Sequence, residues 1–162
     1  GTLLGGSVCA GEQILAVVIG GQADSSTHLM INGDFGELLN RRKQLRSEIE
    51  HNITVLHQLD DANSKVAQLQ SSEKRSQLSD KIAATRGYLC RQLKSEEEAL
   101  EAVNAAQEAA LARARIYCCR HLYPGVSIDI AGMHLQTTDE HNQCQICHRD
   151  GELVVEPLLD IP

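Results

Sequence analysis

Tryptophan is absent, phenylalanine occurs once, and aromatic residues make up only 2% of a 162-residue chain that is 42% hydrophobic. Without bulky rings, the apolar set of Leu, Ile, Val and Ala suits thin cores, such as a helical seam or stacked β layers, better than a thick globular one. A basic stripe is missing as well. The net charge is −7; thirteen acids and thirteen bases balance between Asp34 and Ile116, and the flanks hold only Arg120 and Arg149 as cations. That balance excludes phosphate-backbone binding and attachment to an anionic membrane surface as leading readings. Long apolar runs are lacking too, since a membrane span needs about 20 such residues. The stretch from Ile14 to Ile19 stops at Gly20-Gly21, with no charged segment before it to suggest a signal peptide. The chain opens at Gly1 without methionine, inside a repeat-like stretch, as expected of a piece of a longer protein. Its six cysteines are expected as free thiols in a reducing cytoplasm rather than as a disulfide framework.

What is present divides into three parts. From residue 1 to 33, Gly5-Gly6 and Gly20-Gly21 punctuate short apolar and β-branched runs, the pattern of strands joined by glycine turns. Near-regular glycine corners fit a solenoid rung, with a plain meander as the alternative. The run Ile14 to Ile19 is apolar at every position, which predicts cover on both faces.

The middle part, residues 34 to 116, contains no proline. Asp34 followed by Glu37 reads as a capping box. Leu38, Leu45, Ile49, Leu56, Leu59 and Val66 follow near heptad spacing, with Arg42, Asn52 and Asn63 interrupting the seam. A second arm carries Ile82, Leu89, Leu93, Leu100, Val103, Ala106 and Ala110 and is expected to end near Ile116. Gln70-Ser71-Ser72 would join arms of roughly forty residues each, with Ser76 or Ser79 capping the second. Equal arms and a short link predict an antiparallel coiled-coil hairpin. Folding it near residue 73 sets Arg46 opposite Glu101. Gly87 is a weak point in the second arm.

From 117 to 162, β patterning returns, with Val126, Ile128 and Ile130 alternating against Ser127 and Asp129. Ala131-Gly132 and Asp150-Gly151 are hairpin signals. An inserted hairpin returns its ends to one place, so the two β parts should form one body.

No catalytic constellation emerges. Cys144-Gln145-Ile146-Cys147-His148 matches the c-type haem pattern, but strand geometry sends Cys144 and Cys147 to opposite faces. Zinc would need convergent ligands from Cys118, Cys119, His121, Cys144, Cys147 and His148, and adjacent Cys118-Cys119 diverge in the same way. Small buried apolar thiols are the simpler reading, with no cofactor and no metal. Glu96-Glu97-Glu98 reads as a solvated helical face, and His51 and His57 as exposed.

The order of these parts resembles the flagellar assembly protein A family. The matching stretches are Gly5-Gly6-Ser7-Val8-Cys9-Ala10-Gly11, the hairpin, Tyr123-Pro124-Gly125-Val126-Ser127-Ile128, and Glu152-Leu153-Val154-Val155-Glu156-Pro157-Leu158. The resemblance implies an α+β chain in which a cytoplasmic right-handed β-solenoid is interrupted by a coiled-coil hairpin. It also implies bacterial flagellar assembly or regulation, without catalytic residues to carry over. The cysteines are unlike the family pattern. The expected function is a non-enzymatic scaffold acting through protein contacts, without nucleic acid or membrane insertion. Its contact site is expected at the hairpin tip, within Gln68 to Lys81 and centred on Gln68, Gln70, Ser71, Ser72, Glu73, Lys74 and Arg75. A metal-binding or redox module on Cys118, Cys119, Cys144 and Cys147 is the first alternative. A polymer that self-associates through its solenoid faces is the second.

Overall fold

The computed structural model describes residues 1–22 and 26–159. It contains two helices and two sheets and divides into two compact units, residues 1–38 with 106–162, and residues 39–105.

In the first unit the chain passes alternately between two sheets. Strands β1 (Thr2–Leu3), β3 (Gln13–Ile19) and β5 (Arg115–Leu122) pair in parallel in one sheet, and β2 (Gly6–Ala10), β4 (Thr27–Ile31) and β6 (Val126–Ile130) in the other. Three antiparallel strands end the stacks: β7 (Met133–Gln136) on β6, then β8 (His141–Arg149) on β5 and β9 (Glu152–Pro157) on β8. Parallel pairing keeps like residues in rows. Ile14, Ile116, Ile146 and Val155 lie side by side in the first sheet, and Val8, Leu29, Ile128 and Leu135 in the second. The inward rows of both sheets merge into one core built mostly of Ile, Leu, Val, Ala and Cys, with Phe35 the one ring among its buried members. Small aliphatic side chains thus fill the narrow space between two sheets.

The turns follow from local chemistry. Ala131-Gly132 between β6 and β7, and Asp150-Gly151 between β8 and β9, have positive φ at both central positions (55° and 79°; 51° and 92°). That is the two-residue turn whose twist suits a hairpin. The Asp129 carboxylate accepts from the Gly132 N–H at 3.0 Å, fixing the first of them.

The outer face of β3 departs from the expectation of cover on both sides. Ile14, Ala16 and Ile19 are buried, whereas Leu15 is 57% and Val17 38% exposed. One sheet face meets the core, and among the described residues the other leaves Leu15 and Val17 exposed.

Helices α1 (Phe35–Val66) and α2 (Ser72–Arg113) occupy the connection between β4 and β5. The equivalent connection one turn earlier, β2 to β3, is only Gly11-Glu12. Both ends of the insert rest on that corner. Asn32 N–H donates to Ala10 O at 3.1 Å, Arg115 N–H to Glu12 O at 3.1 Å, and Arg113 Nε pairs with Glu12 Oε1 at 3.3 Å. Asp34 stands at the N-cap position of α1, with its carbonyl accepting from Leu38 N–H at 3.0 Å. The β pattern after the helices begins at Arg115, two residues ahead of Tyr117, because Ile116 and Cys118 already alternate into the core.

Within residues 39–105, the arms run past each other in opposite directions, since Asn52 meets Glu96 while Asp60, further along α1, meets Arg86, earlier in α2. The helices have 32 and 42 residues rather than equal lengths. The link falls at Ala67 to Ser71, where Ser71, not Ser76 or Ser79, precedes the second helix and its carbonyl accepts from Arg75 N–H. Asp60 forms an ion pair with Arg86 across the arms, whereas the expected Arg46–Glu101 pair is not formed. Leu45 and Leu89 are the buried apolar residues of this unit.

Glu96 is the main departure on the helices. It is 7% exposed, and both of its carboxylate oxygens accept from Asn52 Nδ2 at 2.9 Å, while Glu97 and Glu98 face solvent as expected. The asparagine that broke the heptad seam is therefore satisfied by a glutamate across it. A buried polar pair of this kind sets helix register, because any slip leaves both groups without a partner.

Gly87 has only Arg91 Nη1, at 3.6 Å, near the position a Cβ would take. Gly87→Ala therefore meets no clash in a helix interior. We expect it to raise stability by about 1 kcal/mol, read as an increase in the midpoint of a helix-monitored urea melt.

Candidate functional site

Two places carry the chemistry singled out in the sequence: the tip of the helix pair and the cysteines of the first sheet.

At the tip, Gln68, Gln70, Ser71, Ser72, Glu73, Lys74 and Arg75 are all exposed. Backbone bonds from Gln68 N–H to Lys65 O and from Leu69 N–H to Val66 O close the last turn of α1, and Arg75 Nη1 reaches Leu69 O at 3.5 Å. Two large apolar side chains stand exposed among these polar groups, Leu69 at 39% and Leu78 at 41%. Lys74, Arg75 and Lys81 alternate with Glu73 and Asp80 around them. The tip thus exposes apolar side chains together with charges of both signs. The two leucines are not among the residues singled out in the sequence.

The cysteines separate by face. Cys118 is fully buried and Cys144 2% exposed, and they lie directly opposite in the β5–β8 ladder. Their side chains face the same core, and Cys118 Sγ donates to Val17 O at 3.7 Å. The Cys144 thiol brings Cys118 down from 9.0 to about 7 against the effect of burial, with help from the Arg120 and Ile19 backbone. Cys144 is pushed up by the same contact and by burial. Cys119 and Cys147 lie off this inward row, as alternation predicts. Cys147 is nevertheless 4% exposed, with its Sγ 3.6 Å from Glu156 Oε2. Burial, then the neighbouring carboxylate, push its thiol up. Arg149 Nε binds Glu156 at 2.6 Å and holds that carboxyl below its usual range.

A ladder irregularity adjoins the inward pair. Between Cys118 and His121 the register slips, so that Cys119 and Arg120 oppose the single residue Gln143, whose φ is 48°. Beyond it Leu122 is buried again and His121 stays outside, where its Nδ1 meets Glu140 Oε1 at 3.1 Å. Among the described residues, no three His, Cys, Asp or Glu side chains converge as a metal site would require. The sequence showed the alternation but not the partner: Cys118 and Cys144 meet only through a pairing that skips β6 and β7.

No helix among the described residues is long and apolar enough to cross a membrane. No curated protein and no solved structure matches the chain. Residues 1–153 match the Flagellar Assembly Protein A beta solenoid domain, so parallel strands passing between two sheets around an inserted pair of helices place this chain in that family of flagellar assembly proteins.

Proposed function

We propose that the chain is a non-enzymatic scaffold or adaptor in bacterial flagellar assembly or its regulation, acting in the cytoplasm through protein contacts at the tip of the helix pair. In this reading the parallel strands are the last turns of a flattened right-handed β-solenoid, the hand that parallel crossovers adopt almost without exception. The helices are an antiparallel coiled-coil hairpin inserted at one corner. The exposure of Leu69 and Leu78 on a stretch that also carries exposed charges of both signs supports the proposal. Apolar anchors surrounded by a polar rim are the usual make-up of a protein contact, whereas the wholly polar loop of a simple spacer lacks the anchors. Self-association would instead use the faces of the solenoid.

Replacing residues 67–72 with a short Gly-Ser loop, and Leu78 with Ser, tests the tip. Flagellar proteins captured by the unaltered chain from its own cells should bind the variant about tenfold more weakly, the loss expected from removing one small anchor cluster. Equal capture by both chains rejects the tip as the contact site.

A further inference from the structure

We propose that Cys118 and Cys144 form an oxidisable dithiol that closes to a disulfide when a peroxide reaches it, while Cys9, Cys90, Cys119 and Cys147 take no part.

Geometry carries the inference. The two residues are direct partners in an antiparallel ladder. Such partners have Cα atoms about 4.5–5.5 Å apart, inside the roughly 4.4–6.8 Å that a disulfide spans. Both side chains belong to the same buried core cluster, directly across the ladder from each other. No other pair among the six is registered in this way: the Cys147 partners are Arg115 and Val154, the Cys9 partner is Met30, and Cys90 is exposed on α2.

The bulge supplies the second observation. Cys118 immediately precedes the extra residue of β5, and Cys144 immediately follows Gln143 on the strand across. The ladder is therefore interrupted beside the pair, which provides the slack needed to bring two sulfurs to bonding distance and a place where the ladder can open to admit peroxide. Cys118 is the member suited to attack, since Cys144 and backbone N–H groups stabilise its thiolate, and Cys144 is the resolving thiol.

Each step balances. The Cys118 sulfur attacks one oxygen of hydrogen peroxide, the O–O bond breaks, and the leaving hydroxide takes the thiol proton as water. This produces a sulfenic acid on Cys118. The Cys144 sulfur then attacks the Cys118 sulfur, the S–OH bond breaks, and hydroxide leaves with the Cys144 proton as a second water. Two thiols lose two electrons and peroxide gains them. The product ties β5, the last parallel strand of its sheet, to β8, the antiparallel strand that ends the stack. A thiol reductant reverses it.

The chain is treated with hydrogen peroxide, then denatured, alkylated, digested without reductant and mapped by mass spectrometry. The expected result is a linked Cys118–Cys144 peptide lighter by two hydrogens, lost on reduction, with Cys119 and Cys147 alkylated. In Cys144→Val, chosen to keep the core filled, the link is absent and Cys118 is trapped as a sulfenic acid by dimedone. Should Cys144→Val fail to fold, the map of the unaltered chain decides alone. Oxidation of exposed Cys9 and Cys90 while Cys118 and Cys144 remain alkylatable overturns the proposal. So does a principal link from Cys118 to any other cysteine.

Discussion

Ile116→Ala should destabilise the first unit by about 3–4 kcal/mol, within the 2–5 kcal/mol range seen when large aliphatic residues are cut back in closed cores. Ile116 is fully buried in the middle of the row Ile14, Ile116, Ile146, Val155, with neighbours on both strands beside it and the second sheet facing it. A cavity there has little means of collapse. Its walls are paired backbone held at fixed strand spacing, which limits how far the surroundings can close on the gap. The loss is also large beside a total domain stability of about 5–15 kcal/mol. The check is hydrogen exchange of β3, β5 and β8 amides, supported by urea melts followed through tyrosine emission, which the absence of tryptophan leaves unobscured. Leu15→Ala on the outer face of β3, already 57% exposed, is the comparison and should change stability by no more than about 0.5 kcal/mol. Comparable losses at both sites would mean that the outer face is covered.

Much of this architecture was legible because its signals are local. Asp150-Gly151 and Ala131-Gly132 announce their turns by residue type, since few residues accept positive φ at successive positions. The proline-free heptads between Asp34 and Val66 announce a helix, and the family resemblance drawn from the order of parts is upheld by the match over residues 1–153. Features that depend on pairing were hidden. Glu96 sits in a run of three glutamates and reads as solvated until Asn52, 44 positions earlier, is placed against it. Ile14 to Ile19 reads as doubly covered because an apolar sequence records what a residue tolerates, not what lies over it. Ser76 and Ser79 are as good caps by type as Ser71, and only the register between the arms chooses among them. The cysteines follow the same logic. Their alternation was visible, so convergence of Cys144 with Cys147 was rejected from strand geometry alone. The meeting of Cys118 with Cys144 needs knowledge that β8 returns to β5 past two intervening strands. At the tip, the seven polar residues were readable as exposed, whereas nothing in residue type marks Leu69 and Leu78 as exposed rather than packed.

Gly33→Ala should cost about 2–4 kcal/mol through backbone strain combined with a close contact. Gly33 has φ 38°, and a Cβ built on it would lie 2.6 Å from Gly11 O. That oxygen is backbone, in the two-residue corner between β2 and β3, so it cannot turn aside as a side chain would. Relief requires moving either the corner or the start of α1, and both are tied. Asn32 N–H is bonded to Ala10 O on one side of the contact and Arg115 N–H to Glu12 O on the other. Phe35, two residues on, is 7% exposed within the core and anchors the start of the helix. The absence of a side chain at Gly33 is therefore what lets the chain leave the strand stack over the preceding corner and enter a long helix. Gly36 offers the control. It lies in α1 with nothing within 4 Å of a Cβ position, so Gly36→Ala should be neutral or gain up to about 1 kcal/mol. Comparing the two by hydrogen exchange at Asn32, Phe35 and Arg115 separates a corner effect from a general helix effect. Equal protection in both variants would show that the chain can leave the stack without the Gly33–Gly11 contact.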